Sequence, residues 1–574
     1  MPTPGEITAQ LTGRGGPFEV VTEEVAGRPT EVYKERMRSL REIPAVARGR
    51  GDGDPFIVYG DQRVGFTTFV DSANSVSAAL SERFGIEHGD RVAVLAQNCP
   101  EWCLAFWGTV DLGAVLVGLN GWWKSDEIVY GLQDSGAKVL VTDRKRVARI
   151  VHDLDECPEL EHVFLIDCDP GDIGLADDER IHRFEQLTAA PSAEFPTTPI
   201  DEDDPAVILY TSGTTGRPKG AVSTHRNMIA NLQNTFYSSV YGMLVSGEEL
   251  IPTAGGQSVS LFTSPLFHVS GCHSTLVVGL LAGLRLVMVD GRFDPTTALE
   301  LIEQEGVGIW ATVPTMVWRV CEHPKRHDFD TTTVRTVAFG GSPSADELQR
   351  MVRETFPNVR AASNVYGLTE SSSAATILSA GEALARPDTV GRAVPTVHLR
   401  IVDALGNDLP NGEPGEVLIS GPTIMAGYWG KPEATAEAID GDGWLHTGDI
   451  GTLDDEGYLT ITDRKKDMII RGGENIYCVE IENRLVERPD VLDAAVIGVP
   501  HGELGEEVKA VVQIAPGSRL SEDDIRTWVK EALADFKVPT YVELRTDKLP
   551  RNASGKLLKN ALRGVGEVSF EETM

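Results

Sequence analysis

Short apolar runs and longer amphipathic stretches alternate through the first three-fifths of the chain. RVAVLA (91–96), AVLVGL (114–119) and KVLVTD (138–143) are nearly continuous in aliphatic residues, with PEWCLAFWGTVDLG (100–113) and SDEIVYGLQDSG (125–136) between them. Strands that are apolar on both faces, separated by amphipathic helices, predict a largely parallel sheet covered on both sides. The rhythm returns with AVILY (206–210), a long helix near 224–241, RLVMVD (285–290), DPTTALELIEQEG (294–306), GIWATV (308–313) and TVRTVAFGG (333–341). A second stack of the same α/β kind is expected. The apolar stretch 276–289 contains Arg285 and falls short of the roughly 20 residues of a membrane span, so it reads as a buried helix followed by a buried strand.

After about residue 390 the texture changes to short strands (HLRIVD, GEVLISG, YLTITD) broken by turns such as Asp442-Gly443, which predicts a small antiparallel β subdomain. From about 467 the runs DAAVIGVP and VKAVVQIAP, the helix SEDDIRTWVKEALADF and a Lys-rich tail have the size of a small α+β domain. The predicted organisation is therefore α/β, with two stacked αβ subdomains and a β subdomain over 1–463 and a small mobile α+β domain over 464–574. The join, DRKKD (463–467), is short and charged, so motion there would be a hinge near Lys466.

Charge narrows the function. The 574 residues hold 52 Lys plus Arg against 86 Asp plus Glu, a net charge of −34, and such a field repels nucleic acids and anionic membranes alike. Seven scattered cysteines without CxxC pairs fit a reducing compartment, and neither MPTPGEITAQ nor FEETM reads as an address signal, so a cytoplasmic protein with small-molecule partners is expected. No integral membrane segment is expected, and a homo-oligomer is left open. Positive charge is nevertheless kept in two places. Residues 205–247 contain Arg217, Lys219 and Arg226 with no Asp or Glu, and residues 548–566 contain Lys548, Arg551, Lys556, Lys559 and Arg563 with none. A small anionic ligand would be met there.

The first of these segments carries YTSGTTGRPKG (210–220), directly after a predicted buried strand. Gly213 and Gly216 let the backbone wrap closely, the hydroxyls of Thr211, Ser212, Thr214 and Thr215 can bond phosphate oxygens, and Lys219 adds charge. The spacing matches neither GxxxxGK[ST] nor GxGxxG. His268, Cys272 and His273 fall short of the four ligands of a structural zinc site, and GGQS (255–258) is expected to be a loop.

Six further motifs follow in order: SPLFH (264–268), FGGSPS (339–344), NVYGLTES (364–371), GWLHTGDIG (443–451), DRKKDMIIRGGENIY (463–477) and LPRNASGKLLKNALR (549–563). Together with YTSGTTGRPKG they resemble the signature set of the adenylate-forming superfamily, which includes acyl-CoA synthetases, luciferases and the adenylation domains of peptide synthetases. The resemblance covers roughly residues 55–565; the first fifty residues map onto nothing in it.

The resemblance implies an acyl-CoA synthetase reaction. A carboxylate attacks ATP to give an acyl-adenylate and pyrophosphate, and coenzyme A then gives the thioester and AMP, with Mg2+ required. An anion attacks an anion, so repulsion must first be cancelled. One unit charge about 4 Å away at an effective dielectric near 20 is worth roughly 4 kcal/mol, so one lysine and one metal ion suffice. By the resemblance, Lys556 bridges carboxylate and phosphate, and Lys219 with Thr211, Ser212, Gly213, Thr214, Thr215 and Gly216 holds the phosphates. Gly341, Ser342 and Pro343 belong to the ATP site. Asn364 reads the adenine amine, Tyr366 stacks on the ring and Gly367 completes the turn. Thr369 donates to the α-phosphate and Glu370 ligates the metal.

Asp449 accepts the ribose hydroxyls and Arg464 adds a second ribose or phosphate contact. Lys466 is the hinge, and Gly473 lets the pantetheine arm pass. His268, Trp310, Val313 and Gly340 border the acyl pocket. Val365 replaces a frequent glycine, and Asn552-Ala553 a frequent Thr-x. The pocket segments contain no charged residue, which favours a hydrophobic acid, first a medium- or long-chain fatty acid and second an aryl or sterol-type acid. Loading of a carrier-protein thiol and a non-catalytic nucleotide-binding module are the alternatives.

Overall fold

A computed structural model describes residues 3–211, 217–246, 256–340, 346–360, 362–472, 474–551 and 557–564. The chain divides into two compact units. The first comprises residues 1–341, 350–399 and 419–446, and the second 342–349, 400–418 and 447–574.

The first unit is built on two large sheets. One has eight strands in the order Gly427–Tyr428, Lys219–Thr224, Pro205–Thr211, Val115–Gly118, Arg91–Leu95, Val139–Asp143, His162–Ile166 and Ile181–Arg183. From Pro205–Thr211 onward, neighbouring strands in that order are parallel. Lys219–Thr224 returns antiparallel to Pro205–Thr211. The apolar runs are continuous because both faces are buried. Val92, Val94 and Leu116 face one core with Trp102, Phe106 and Trp107, while Ala93, Leu95 and Val117 face another with Ile128 and Leu132. The intervening helix Pro100–Leu112 begins with a proline, whose missing N–H costs nothing there, and ends at Gly113, whose φ of 84° is the left-handed cap geometry glycine favours.

The second sheet has nine strands, with Ser363–Tyr366, Thr336–Gly340, Ile309–Thr312 and Val259–Phe262 consecutive near its middle. Its inner residues Phe262, Leu286 and Met288 join the same core as Trp102 and Phe106, so the two stacks share one interior. The stretch 276–289 forms the end of a π-helical turn (Cys272–Val277), the helix Val278–Ala282 and the strand Arg285–Met288. Among the described residues no helix is long and apolar enough to cross a membrane.

The first fifty residues, silent in sequence, have a packing role. The helix Pro4–Thr12, started by a Thr3/Glu6 capping box, sets Ile7 and Leu11 against Tyr237 and Tyr241 of the long helix His225–Ser246. The hairpin of Val20–Val25 and Arg28–Tyr33 ends in a buried bond from the Tyr33 hydroxyl to Asn234 Oδ1 at 2.7 Å.

The second unit holds a four-stranded sheet (His398–Val402, Gly415–Ser420, Leu445–Leu453, Leu459–Arg464), its last pair antiparallel, and a five-stranded sheet. In the latter, Val491–His501 and Gly505–Ile514 form a long antiparallel hairpin, and Tyr541–Arg545 runs parallel to its second strand. Ile481 and Leu485 from one helix and Ile525 and Val529 from another cover one face. The helix expected through 521–536 stops at Lys530, because Ala534 is extended and a separate 3-10 turn, Asp535–Lys537, follows.

Candidate active site

The predicted phosphate segment leaves the end of the strand Pro205–Thr211 and re-enters at Lys219, the first residue of the returning strand. Thr211 and Lys219 are register partners, and the Thr211 hydroxyl donates to the Lys219 carbonyl at 3.4 Å. Ser212, Gly213, Thr214, Thr215 and Gly216 lie outside the described residues, as do Gly341, Ser342, Pro343, Gly473 and Lys556.

Lys219 and Glu370, widely separated in sequence, are joined through one side chain that sequence reasoning missed. The Lys219 ammonium lies 5.0 Å from the centre of the Tyr428 ring, and the Tyr428 hydroxyl donates to Glu370 Oε1 at 2.9 Å. Burial, reinforced by the Glu370 charge, pushes the Tyr428 phenol well above its ordinary range, so it remains a proton donor to the carboxylate. The strand Gly427–Tyr428 is placed there by pairing with Ala221 and Val222. No motif signalled it, since Tyr428 belongs to a two-residue edge strand whose partner lies some two hundred residues earlier in the chain. The Glu370 carbonyl is held as well, accepting from Met425 N at 2.9 Å.

Asn364 and Tyr366 sit on the strand Ser363–Tyr366, Asn364 buried and Tyr366 partly exposed. Gly367 follows, and Thr369–Ser371 forms a 3-10 turn that presents Thr369 and Glu370. Only glycine fits at 367, because a Cβ there would overlap the Ser373 carbonyl. Gly340 ends the neighbouring strand as the register partner of Val365.

Trp310 is fully buried, packed between Phe293 and Phe356 with its indole N–H donating to Thr263 Oγ1 at 3.1 Å. The next residue, Ala311, points to the opposite face and is exposed although its strand is internal to the sheet. Its register partners Ala338 and then Ser363 are partly exposed, so the open face here is floored by small residues. Val313 is half-buried at the start of the next helix. His268 precedes the short helix Val269–Gly271, its ring 4.7 Å from that of Phe267.

Within the second unit Asp449 and Arg464 are register partners on adjacent strands, joined by an ion pair of 3.2 Å between Arg464 Nε and the nearly buried Asp449 carboxylate. The Asp449 amide is fixed by Thr447 Oγ1 at 3.0 Å. Lys466 is exposed one turn beyond. Asp463, at the start of the charged join, is buried against the Cys478 amide, and burial raises its carboxyl to about 6.

Open α/β sheets bind ligands beyond the carboxyl ends of their strands, and that is where Thr211, Lys219 and Glu370 lie. The fold and these side chains define an AMP-forming acid–thiol ligase. The chain belongs to the AMP-binding enzyme family: the family model matches residues 44–429, and the AMP-binding enzyme C-terminal domain matches residues 480–556. It is 37% identical over 492 residues to a feruloyl-CoA synthase of Amycolatopsis sp, covering 86% of this chain and 91% of that protein. It is 34% identical to a 3-[(3aS,4S,7aS)-7a-methyl-1,5-dioxo-octahydro-1H-inden-4-yl]propanoyl:CoA ligase of Rhodococcus jostii (strain RHA1), covering 95% and 99%. Among solved structures, ATP-bound MatB from Rhodopseudomonas palustris superposes with a TM-score of 0.78 at 30% identity, covering 92% of this chain and 98% of that one. The chain is accordingly an ATP-dependent acyl-CoA ligase of the adenylate-forming superfamily.

Proposed function

We propose that the acid it activates is hydrophobic and ring-bearing, an arylpropenoic or fused-ring propanoic acid, and that free coenzyme A is the acceptor. The observation that carries this reading is the row of exposed Ala311 and partly exposed Ala338 and Ser363 across three adjacent strands. With strands about 4.8 Å apart, such a floor is roughly 10 Å wide, broad enough for a ring system and free of charge. The feruloyl and indanyl-propanoyl acids named for the two relatives are of this shape. Gly340 supports a second reading: among the described residues a Cβ there would meet only the Val365 carbonyl, at 3.8 Å, which leaves room for the chain of a medium- or long-chain fatty acid.

The residue roles are those the family resemblance implies. Lys219 and Lys556 offset the repulsion between carboxylate and α-phosphate, Thr369 donates to that phosphate, and Asp449 accepts the ribose hydroxyls while the ion pair with Arg464 orients it. Magnesium fits Glu370, since a single hard carboxylate beside substrate phosphates is its usual donor set, and the Tyr428 bond occupies only one Glu370 oxygen. The metal would supply charge neutralisation at the phosphates. Residues 464–574 turn about Lys466 between the half-reactions, exchanging the Lys556 segment for the Gly473 segment.

A panel of arylpropenoic, fused-ring and C8–C18 fatty acids, assayed for AMP release with coenzyme A and for hydroxamate formation without it, tests the reading. Preference for a ring-bearing acid supports it. Turnover confined to fatty acids, or to a holo-carrier protein in place of coenzyme A, overturns it.

A further inference from the structure

Directly after Glu370 the backbone is strained. Ser372 has φ 52° and Ser373 φ 107°, so two consecutive residues with side chains occupy the left-handed region that favours glycine. Such a residue is strained and persists only where its surroundings hold it. Three side chains from two other elements do so. Ser223 Oγ, on the strand Lys219–Thr224, lies 3.1 Å from Ser372 Oγ. His273 Nδ1 lies 3.4 Å from the Ser372 carbonyl, and Ser274 Oγ lies 2.6 Å from Ser373 Oγ. Ser371 closes the turn internally, its hydroxyl accepting from Leu368 N at 2.9 Å and donating to the Ser373 carbonyl at 3.1 Å.

His273 and Ser274 are consecutive and both reach the same strained pair. They lie in the π-helical turn Cys272–Val277, five residues beyond His268. A π turn is wider than an α turn and turns less per residue, so neighbouring side chains diverge less, and such turns are frequent at functional sites. His273 is fully buried, with Nε2 unpartnered, and burial lowers its pKa to about 4. Its ring is therefore neutral, and Nδ1–H is the atom that can donate to the Ser372 carbonyl.

We propose that His273 and Ser274 are positioning residues for adenylation: the π turn clamps Ser372–Ser373 in the left-handed conformation and thereby sets Thr369 and Glu370, making the segment behind His268 and the nucleotide-binding turn one mechanical piece. The proposal rests on the roles given above to Thr369 and Glu370. It also gives the strain a purpose, because a relaxed turn would rotate the two residues that meet the phosphates.

The discriminating property is that glycine adopts φ 107° at little cost. Four proteins are compared in acid-dependent ATP–pyrophosphate exchange, by melting temperature and by ATP affinity in calorimetry: wild type, Ser274→Ala, Ser373→Gly and the double variant. Ser274→Ala should lower kcat/KM for ATP about tenfold, which corresponds to about 1.4 kcal/mol, while the melting temperature hardly moves. Ser373→Gly should be close to wild type, and in the Ser274→Ala background it should restore kcat/KM for ATP to within about twofold. Unchanged kinetics in Ser274→Ala, or a loss that glycine at 373 does not recover, overturns the clamp. A wild-type protein without exchange on any acid of the panel would overturn the functional reading instead, and ATP affinity across the four proteins would then decide the clamp.

Discussion

The Tyr428 hydroxyl can be removed with little other change, which makes Tyr428→Phe a test of how the metal-binding carboxylate is oriented. The ring 5.0 Å from Lys219 stays, and only the bond of 2.9 Å to Glu370 Oε1 is lost. A hydrogen bond to a charged group contributes about 1.5–3 kcal/mol, so adenylation should slow roughly ten- to hundredfold at limiting magnesium. Because the carboxylate loses a fixed direction and keeps its charge, the effect should fall on the magnesium concentration for half-maximal exchange more than on the KM for the acid. Tyr428→Leu, which removes the ring from Lys219 too, should add a further loss in KM for ATP, since a partly desolvated cation–π contact contributes about 1–2 kcal/mol. The measurement is ATP–pyrophosphate exchange titrated with MgCl2 at fixed ATP. Identical magnesium curves for wild type and Tyr428→Phe would refute the linkage.

Other tests address the remaining parts. Lys556→Ala should abolish exchange yet largely spare thioester formation from supplied acyl-adenylate, and unchanged exchange would remove that lysine from the mechanism. Ala311→Phe should raise KM for ring-bearing acids at least tenfold with KM for ATP unaltered, because it fills an exposed position on the proposed floor; equal effects on both constants would argue against a pocket there. Asp463, raised to about 6 by burial, favours folding in its neutral form, so stability is lost as pH rises from about 4 to about 6, by up to roughly 3 kcal/mol. Asp463→Asn should remove that component from hydrogen exchange across Cys478–Val486. His225 has the opposite sense: burial lowers it to about 4, so it binds its proton in the unfolded chain first, and stability should fall by up to about 3 kcal/mol as pH drops from 6.5 to 4. Urea midpoints of wild type and His225→Asn at pH 7 and pH 4.5 measure it, and parallel shifts in the two proteins would contradict it.

Sequence alone determined the architecture and the order of the family's motifs, for physical reasons that are local. Strands buried on both faces must be continuously apolar, which is why RVAVLA, AVLVGL and AVILY are legible as a parallel sheet. Tertiary structure alone decided what depends on register between distant strands. Trp310 and Ala311 are neighbours in sequence, yet opposite sides of one strand bury the first and expose the second. Tyr428 connects Lys219 to Glu370 only because a two-residue edge strand pairs with Ala221 and Val222. The serines at 372 and 373 look unremarkable in NVYGLTESSS. Their backbone angles, and the π turn that meets them, arise from packing between segments about a hundred residues apart, and no local preference encodes them.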